Sequence, residues 1–320
     1  MKEMKTFLKC VPLPMCGLIL GLAALGNLLF IEGYATSSAV FFVIALVMMV
    51  PVLLKIMITP RQVLADLKNP IVASVAPTFT MAWMLICTFL KRLVPMFYLI
   101  NWLWLMAVGL HFILMLYFVM VHILPDKLKF ANIYPSWFIT FVGIGVISNT
   151  AKIFALTLGK IIIWVALALY FILLPVILKR ISQYRQMKEG TWPLITILAA
   201  PGSLCLSGYL TVITDKSLPF IIFLVILSQT LYFAILYFFK TMLKVKFYPS
   251  YGAFTFPMVI TATVMSKTYQ LFADNPAIAE LLRVLMVFET WVAVLIVCYV
   301  LICYLNYFVQ QVKYQGHRLV

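Results

Sequence analysis

Residues 248–269 read YPSYGAFTFPMVITATVMSKTY, a run apolar enough to cross a membrane that nevertheless contains two prolines, Pro249 and Pro257. A proline inside a helix removes one backbone hydrogen bond and costs about 3 kcal/mol. In lipid, no water is available to satisfy the carbonyl group that loses its partner. We therefore expect the freed carbonyl groups to face an aqueous path or a neighbouring helix.

The composition is that of an integral membrane protein. Of the 320 residues, 65% are hydrophobic and 10% are charged, whereas a soluble domain has about 25% charged residues. A span takes about 20 apolar residues, and ten such runs are present: 12–30, 38–59, 70–90, 96–122, 135–158, 160–180, 192–213, 218–243, 249–272 and 277–308. The first run follows three lysines, as a cleaved signal peptide would. It carries the Pro and Gly pattern of later runs, however, so we predict one transmembrane domain over residues 1–320.

The net charge of +15 reflects membrane topology and does not indicate nucleic-acid binding. Seventeen of the 24 basic residues lie at the two termini or near loops that follow even-numbered runs: Lys2, Lys5, Lys9, Lys55, Arg61, Lys68, Lys127, Lys129, Lys179, Arg180, Arg185, Lys188, Lys240, Lys244, Lys246, Lys313 and Arg318. Positive charge concentrates on the cytoplasmic side. Both termini are thus predicted to be cytoplasmic. We expect a multi-pass protein of a cell membrane, the plasma or inner membrane of a prokaryote, although the charges themselves fix only the orientation.

The odd-numbered runs repeat one pattern of helix breakers. They read PIVASVAPTF from Pro70, PSWFITFVGIG from Pro135, PLITILAAPGS from Pro193 and PSYGAFTFPMV from Pro249. Each opens with proline, and a second breaker follows: Pro77, Gly143, Pro201 and Pro257. The first run, PLPMCGLILGL from Pro12, is a looser version. Starts about 56 to 65 residues apart fit one αα-hairpin per repeat.

Helix-breaking residues near the membrane midplane are tolerated only where the irregular backbone is buried in protein or lines a water-filled cavity. The pattern therefore predicts an all-α fold of ten transmembrane helices arranged as five αα-hairpins. Kinked odd helices would surround a central pore, and straighter even helices would lie outside them. The alternative is that prolines and glycines are simply commoner in membrane helices.

The sequence resembles the tellurite-resistance/dicarboxylate transporter family, or TehA-like proteins, which are related to plant guard-cell slow anion channels. The most specific match is AFTFP at 253–257, with IYPSWFITF at 133–141 and ILAAPGSLCLSGYL at 197–210 as further matches. The resemblance implies ten spans in a quasi-five-fold arrangement, a pore occluded by Phe256, and a homotrimer with one pore per protomer. The first run departs from the pattern, so no pore residue is assigned there.

The residues just before the second breakers are Ala76, Val142, Ala200 and Phe256. If these side chains share one level, Phe256 alone could close an otherwise open lumen, which Ala76, Val142 and Ala200 would line. The alternative is that Phe256 only fills space in the packing. Phe254 lies about 200° round the helix and is expected to point away from the lumen.

Charged residues within membrane spans are functional candidates. Lys152 and Lys267 occupy nearly equivalent repeat positions, toward the predicted extracellular ends of pore helices. They could form a basic outer vestibule that attracts anions, or they could extend to the lipid headgroups. Glu289 is the only deep acid and lies on an even helix, which favours a contact with a polar neighbouring helix.

An enzyme is not predicted, because the sequence lacks HExxH, GxSxG and paired-aspartate motifs. We expect no catalytic residue, no metal site and no cofactor. A lumen without fixed charge fits a channel-like conductor of small inorganic or carboxylate anions across the lipid bilayer. The alternative, which the family resemblance also implies, is a secondary carrier or exporter of C4-dicarboxylates or oxyanions such as malate, sulfite or tellurite.

Overall fold

The computed structural model describes residues 2–125, 130–183 and 188–316 of the chain. Lys127, Lys129, Arg185 and Arg318, which support the topology prediction, lie outside these ranges. The described residues form helices joined by short turns, and fourteen segments are α-helical. They are α1 (Lys2–Cys10), α2 (Met15–Ile31), α3 (Ala35–Ile58), α4 (Pro60–Asp66), α5 (Pro70–Val75), α6 (Thr78–Leu93), α7 (Leu99–Phe118), α8 (Trp137–Phe141), α9 (Gly145–Phe154), α10 (Leu156–Gln183), α11 (Ala200–Val212), α12 (Leu218–Met242), α13 (Thr255–Leu271) and α14 (Pro276–Gly316).

Eight helical stretches within the described ranges are long and apolar enough to cross a membrane. A ninth is added if α1 and α2, which meet at a bend of 77°, count as one span. The remaining predicted span contains α13, which has 17 residues, fewer than the roughly 20 of a full crossing. The all-α, multi-pass membrane character is confirmed.

Five helices form a closed cycle of contacts. Helix α2 packs on α6, α6 on α9, α9 on α11, α11 on α13, and α13 on α2. Each of these inner helices also packs against the long helix that follows it in the chain: α3, α7, α10, α12 or α14.

Burial separates the inner helices from the outer ones. The central apolar stretches of Pro70–Leu93, Trp137–Phe154 and Glu189–Val212 are 67–83% buried. In the stretches that contain α3, α7, α10, α12 and α14 the buried share is 22–39%. The outer helices therefore present the apolar surface that a lipid bilayer would cover.

Four inner spans are broken at the predicted level. Helix α5 ends before Ala76 and Pro77, α8 ends before Gly143, and 3₁₀ segments over Glu189–Ala199 and Pro249–Phe254 precede α11 and α13. Pro201 and Pro257 thus lie in the first turn of a helix and do not bend an existing one. There, the missing N–H would have had no helical partner anyway, so the proline costs little.

Hydroxyl groups satisfy carbonyl oxygens at these breaks. Threonine side chains reach from one inner span to the next: Thr140 to the Ser74 oxygen at 3.0 Å, Thr196 to the Ala253 oxygen at 2.8 Å, and Thr255 to the Gly17 oxygen at 2.9 Å. The carbonyl group of Ala253, four residues before Pro257, is thereby paired within the protein, as expected for the carbonyl group that Pro257 leaves without a helical partner.

Candidate functional site: a central cavity and a basic vestibule

A small cavity of about 50 Å³ lies at the level of the breaks, with room for a few water molecules. All five inner spans contribute to its wall: Pro14, Gly17, Leu20, Ile71, Val75, Thr78, Met81, Phe138, Ile139, Val142, Gly143, Leu194, Ile197, Ala200, Pro201, Leu204, Ser250, Gly252, Ala253, Phe256 and Pro257. Among the described residues, only Thr78 and Ser250 bring polar side chains to this wall. The cavity therefore offers an anion little beyond backbone dipoles.

The structure brings most of the predicted pore residues to this cavity. Its wall contains the predicted lining positions Val142 and Ala200, the predicted gate Phe256, and the breakers Gly143, Pro201 and Pro257.

Ala76 and Pro77 are not part of the wall, which Val75 and Thr78 form instead. The backbone at Ala76 and Pro77 stays close to helical geometry, so Val75 and Thr78, three residues apart, share one face. The equivalence of Ala76 with Val142 and Ala200 in the sequence repeat therefore does not extend to the cavity wall.

Two phenylalanine rings border the cavity, those of Phe138 and Phe256. The sequence pattern indicated only Phe256. Phe256 retains 8% exposure and Phe138 2%. Phe138, in α8, lies about one helical turn before Val142, so the spacing between the two could have indicated it. Phe254 is absent from the wall; its ring packs 4.9 Å from the rings of Phe239 and Tyr251, as the helical offset from Phe256 predicts.

Gly143 leaves no room for a side chain. A Cβ atom at this position would lie 2.1 Å from the Ile139 carbonyl oxygen and 2.9 Å from the Met81 sulfur. The break between α8 and α9 therefore depends on the absence of a side chain, and not only on glycine's backbone freedom.

A second, larger cavity of about 430 Å³ lies where the inner helices end. We call it the basic vestibule; its wall consists of Asn27, Ile31, Arg92, Asn149, Thr150, Lys152, Ile153, Leu210, Thr211, Lys216, Lys267, Gln270 and Leu271. Four of these residues are basic, and none of the described lining residues is acidic. Lys152 and Lys267 were predicted from the repeat. Arg92 and Lys216 were not, because they lie at the edges of apolar runs where basic residues are unremarkable.

Lys267 starts a chain of polar contacts toward the central cavity. Its ammonium group donates to the Ser207 hydroxyl at 2.9 Å, the Ser207 carbonyl at 3.2 Å and the Thr211 hydroxyl at 2.7 Å. Ser207 donates to the Asn149 side chain, whose amide nitrogen donates to the Leu204 carbonyl at 3.1 Å. Because Leu204 also borders the central cavity, the chain connects the two cavities.

Other polar residues lie away from this axis. Glu289 is fully buried on α14, and Gln229 on α12 is its polar neighbour. His111 is buried with its Nδ1 atom 2.8 Å from the Thr80 hydroxyl. Within the described ranges, no three His, Cys, Asp or Glu side chains are placed to hold a metal ion.

The fold and the two cavities define a multi-pass helical membrane protein whose inner helices enclose cavities. A family profile described as voltage-dependent anion channel, SLAC1, matches residues 11–305. The chain therefore belongs to the SLAC1 family of voltage-dependent anion channels, a family of transport proteins. No curated protein matches the chain.

Proposed function

We propose that the protein conducts small anions along the axis of its inner helices, from the basic vestibule through the central cavity. The observation that carries this proposal is the charge of the vestibule, where four basic side chains and no described acidic side chain line one cavity. Such a surface concentrates anions and repels cations. The same inner helices wall the central cavity farther along, which makes the two cavities parts of one path.

In the proposed architecture, ten spans form five hairpins in quasi-five-fold order. The closed cycle of contacts among α2, α6, α9, α11 and α13 supports this arrangement. With both termini cytoplasmic, the vestibule opens outward. Assembly as a homotrimer, with one pore per protomer in a prokaryotic plasma or inner membrane, rests on the family resemblance alone.

Phe256 is the gate in this proposal. Its ring is the bulkiest side chain among the residues that precede the second breakers, and it borders the narrow cavity beside Val142 and Ala200. No charged side chain lies among the described wall residues, so the barrier is steric and apolar. An anion meeting it must shed water without compensation, which closes the path.

The test is anion flux in liposomes that contain purified protein. Phe256→Ala removes a ring and no charge, so chloride and nitrate flux should rise at least about tenfold, while selectivity for anions over cations is kept. Phe254→Ala is the matched control, since it removes an equally large ring that packs behind the wall. A folded Phe256→Ala protein that conducts no better than wild type would show that Phe256 is not the gate.

A secondary carrier of C4-dicarboxylates or oxyanions is the second candidate. It is favoured by the size of the vestibule, about 430 Å³, which exceeds what a halide ion needs. The same liposomes discriminate between the two candidates. Uptake of malate or sulfite driven by an imposed proton gradient indicates a carrier, whereas flux that follows only the anion's own electrochemical gradient indicates a channel.

A further inference from the structure

The basic side chains of the vestibule lack acidic partners. Two ion pairs are found within the described ranges, Lys55 with Asp66 and Arg283 with Glu280, and neither involves a vestibule residue. Asp215 and Asp274 lie in neighbouring loops but not in the vestibule wall. Several uncompensated positive charges in one cavity repel each other, and a bound anion relieves that repulsion.

Arg92 has an unused donor at this wall. One guanidinium nitrogen, Nη2, donates to the Asn27 side chain at 2.6 Å, and the guanidinium lies 4.0 Å from the centre of the Phe30 ring. Its other terminal nitrogen, Nη1, is buried with no acceptor in the part of the chain that the structure describes. Buried donors are rarely left unpaired, so this atom points to a ligand.

Lys267 is hydrogen-bonded but has no acidic partner in the described vestibule wall. All three of its hydrogen bonds go to uncharged oxygens of Ser207 and Thr211. These oxygens belong to the last turns of α11, where the helix dipole adds only partial negative charge. No acidic side chain of the described vestibule wall competes with an anion for the Lys267 ammonium group.

We propose that the basic vestibule is a binding site for an anion with several oxygen atoms, a carboxylate or an inorganic oxyanion, held between Arg92 and Lys267. Exposed Lys152 and Lys216 complete the positive surface around it. A guanidinium fork matches two oxygens of one anion, which a spherical halide cannot supply. The site deepens the proposed function, since it would be the first binding step at the outer mouth of the path.

The test measures binding without flux, by calorimetric titration of sulfate into the full-length protein in non-ionic detergent with a fixed background of sodium chloride. Saturable sulfate binding in the presence of chloride is expected. Arg92→Gln and Lys267→Gln should each weaken it at least about tenfold, because the first removes a charge-assisted hydrogen bond and the second removes a positive charge beside the anion. Arg92→Lys, which keeps the charge but loses the fork, should weaken it less than Arg92→Gln does.

Lys91→Gln is the matched control. Lys91 adjoins Arg92 in α6, but its ammonium group lies 5.6 Å from the centre of the Tyr98 ring and outside the vestibule wall, so sulfate affinity should not change. Lys216→Gln removes an exposed loop charge and tests the site even if Arg92 or Lys267 variants fold poorly. It should also weaken sulfate binding.

Three results would overturn the proposal: no saturable sulfate binding over chloride, Lys91→Gln weakening it as much as Lys267→Gln, or Lys216→Gln leaving it unchanged. These outcomes can be distinguished from the result of the Phe256→Ala flux test. If sulfate does not bind but Phe256→Ala raises flux, the anion site is wrong and the proposed channel stands. If sulfate binds but Phe256→Ala leaves flux unchanged, the gate assignment is wrong and the anion site stands.

Discussion

The Thr255 hydroxyl lies 2.9 Å from the carbonyl oxygen of Gly17 and 2.8 Å from that of Gly252. This contact joins α2 to the start of α13, so the residue directly before Phe256 is fixed to the first inner helix. The two backbones also approach closely, because a Cβ atom on Gly17 would lie 3.0 Å from the Gly252 carbonyl group. The position of the Phe256 ring is thus set by a glycine-lined contact between the first and last inner spans.

Gly21→Ala should disturb this contact and with it the Phe256 ring. An added Cβ atom would lie 2.3 Å from the Thr255 hydroxyl oxygen and 2.4 Å from its Cβ atom, so α2 and α13 must move apart. We expect a lower thermal midpoint in detergent, with a cost of about 1–3 kcal/mol, and higher basal anion flux in liposomes.

Gly109→Ala is the control for that variant. Gly109 lies inside α7, and beyond the neighbouring backbone of that helix no described atom lies within 4 Å of the Cβ atom that alanine would add. Its melting midpoint should not fall below that of wild type, since alanine favours helix over glycine, and its flux should not rise above that of wild type. Equal behaviour of the two variants would contradict the role of Gly21 in positioning α13.

Neutralising Lys152 and Lys267 together to glutamine should lower anion conductance at low ionic strength. The effect should shrink as salt is added, because the screening length falls from about 30 Å at 0.01 M to about 3 Å at 1 M. Single-channel or liposome flux recordings across a salt series measure this dependence.

A double variant of Lys91 and Lys160 to glutamine removes the same formal charge outside the vestibule wall and should have a smaller effect. A loss of conductance that does not vary with salt would instead indicate that Lys267 acts through its contacts with Ser207 and Thr211.

Cysteine substitution tests which residues face the path. In a Phe256→Ala background without the native cysteines, Val142→Cys, Ala200→Cys and Val75→Cys should react with small water-soluble thiol reagents. Ala76→Cys should react more slowly, because Ala76 lies off the cavity wall. Labelling rates followed by mass spectrometry give the order. Reaction confined to cysteines placed on α3, α7, α10, α12 and α14 would overturn the assignment of the inner helices.

The repeat of breakers was readable from sequence because proline and glycine act on the backbone locally, whatever surrounds them. It located the breaks near Pro77, Gly143, Pro201 and Pro257. The local conformation was not readable, since a 3₁₀ turn and an α-helix share the same apolar residues. The sequence therefore suggested a bent helix where the structure has a 3₁₀ turn over Pro249–Phe254 followed by α13.

Contacts between spans were harder to predict than the breaks. A threonine in a membrane helix commonly bonds to its own backbone, so nothing in the sequence marks Thr196 as the partner of Ala253. Arg92 similarly resembles any basic residue at a helix end. Its place in the vestibule depends on which helices pack together, which a single sequence does not encode locally.

Lys55 links several segments at the end of the bundle where α2 begins. Its side chain is 1% exposed, and its ammonium group lies 2.6 Å from the Val11 carbonyl oxygen and 2.7 Å from Asp66. It thereby fixes the bend between α1 and α2 to α3 and α4. Lys55→Met would leave both acceptors without this donor, at a cost of about 3 kcal/mol.

The thermal midpoint of the Lys55→Met protein in detergent should therefore fall clearly. Arg283→Met is the comparison, because it breaks an ion pair with Glu280 in which both side chains are more than half exposed; exposed pairs contribute little to stability. Adding Asp66→Asn to Lys55→Met should recover part of the lost midpoint, since it removes the unpaired carboxylate. If the two single variants melt alike, Lys55 does not anchor the start of α2, and the bend at Val11 must be held by the packing of α1 on α3 and α14.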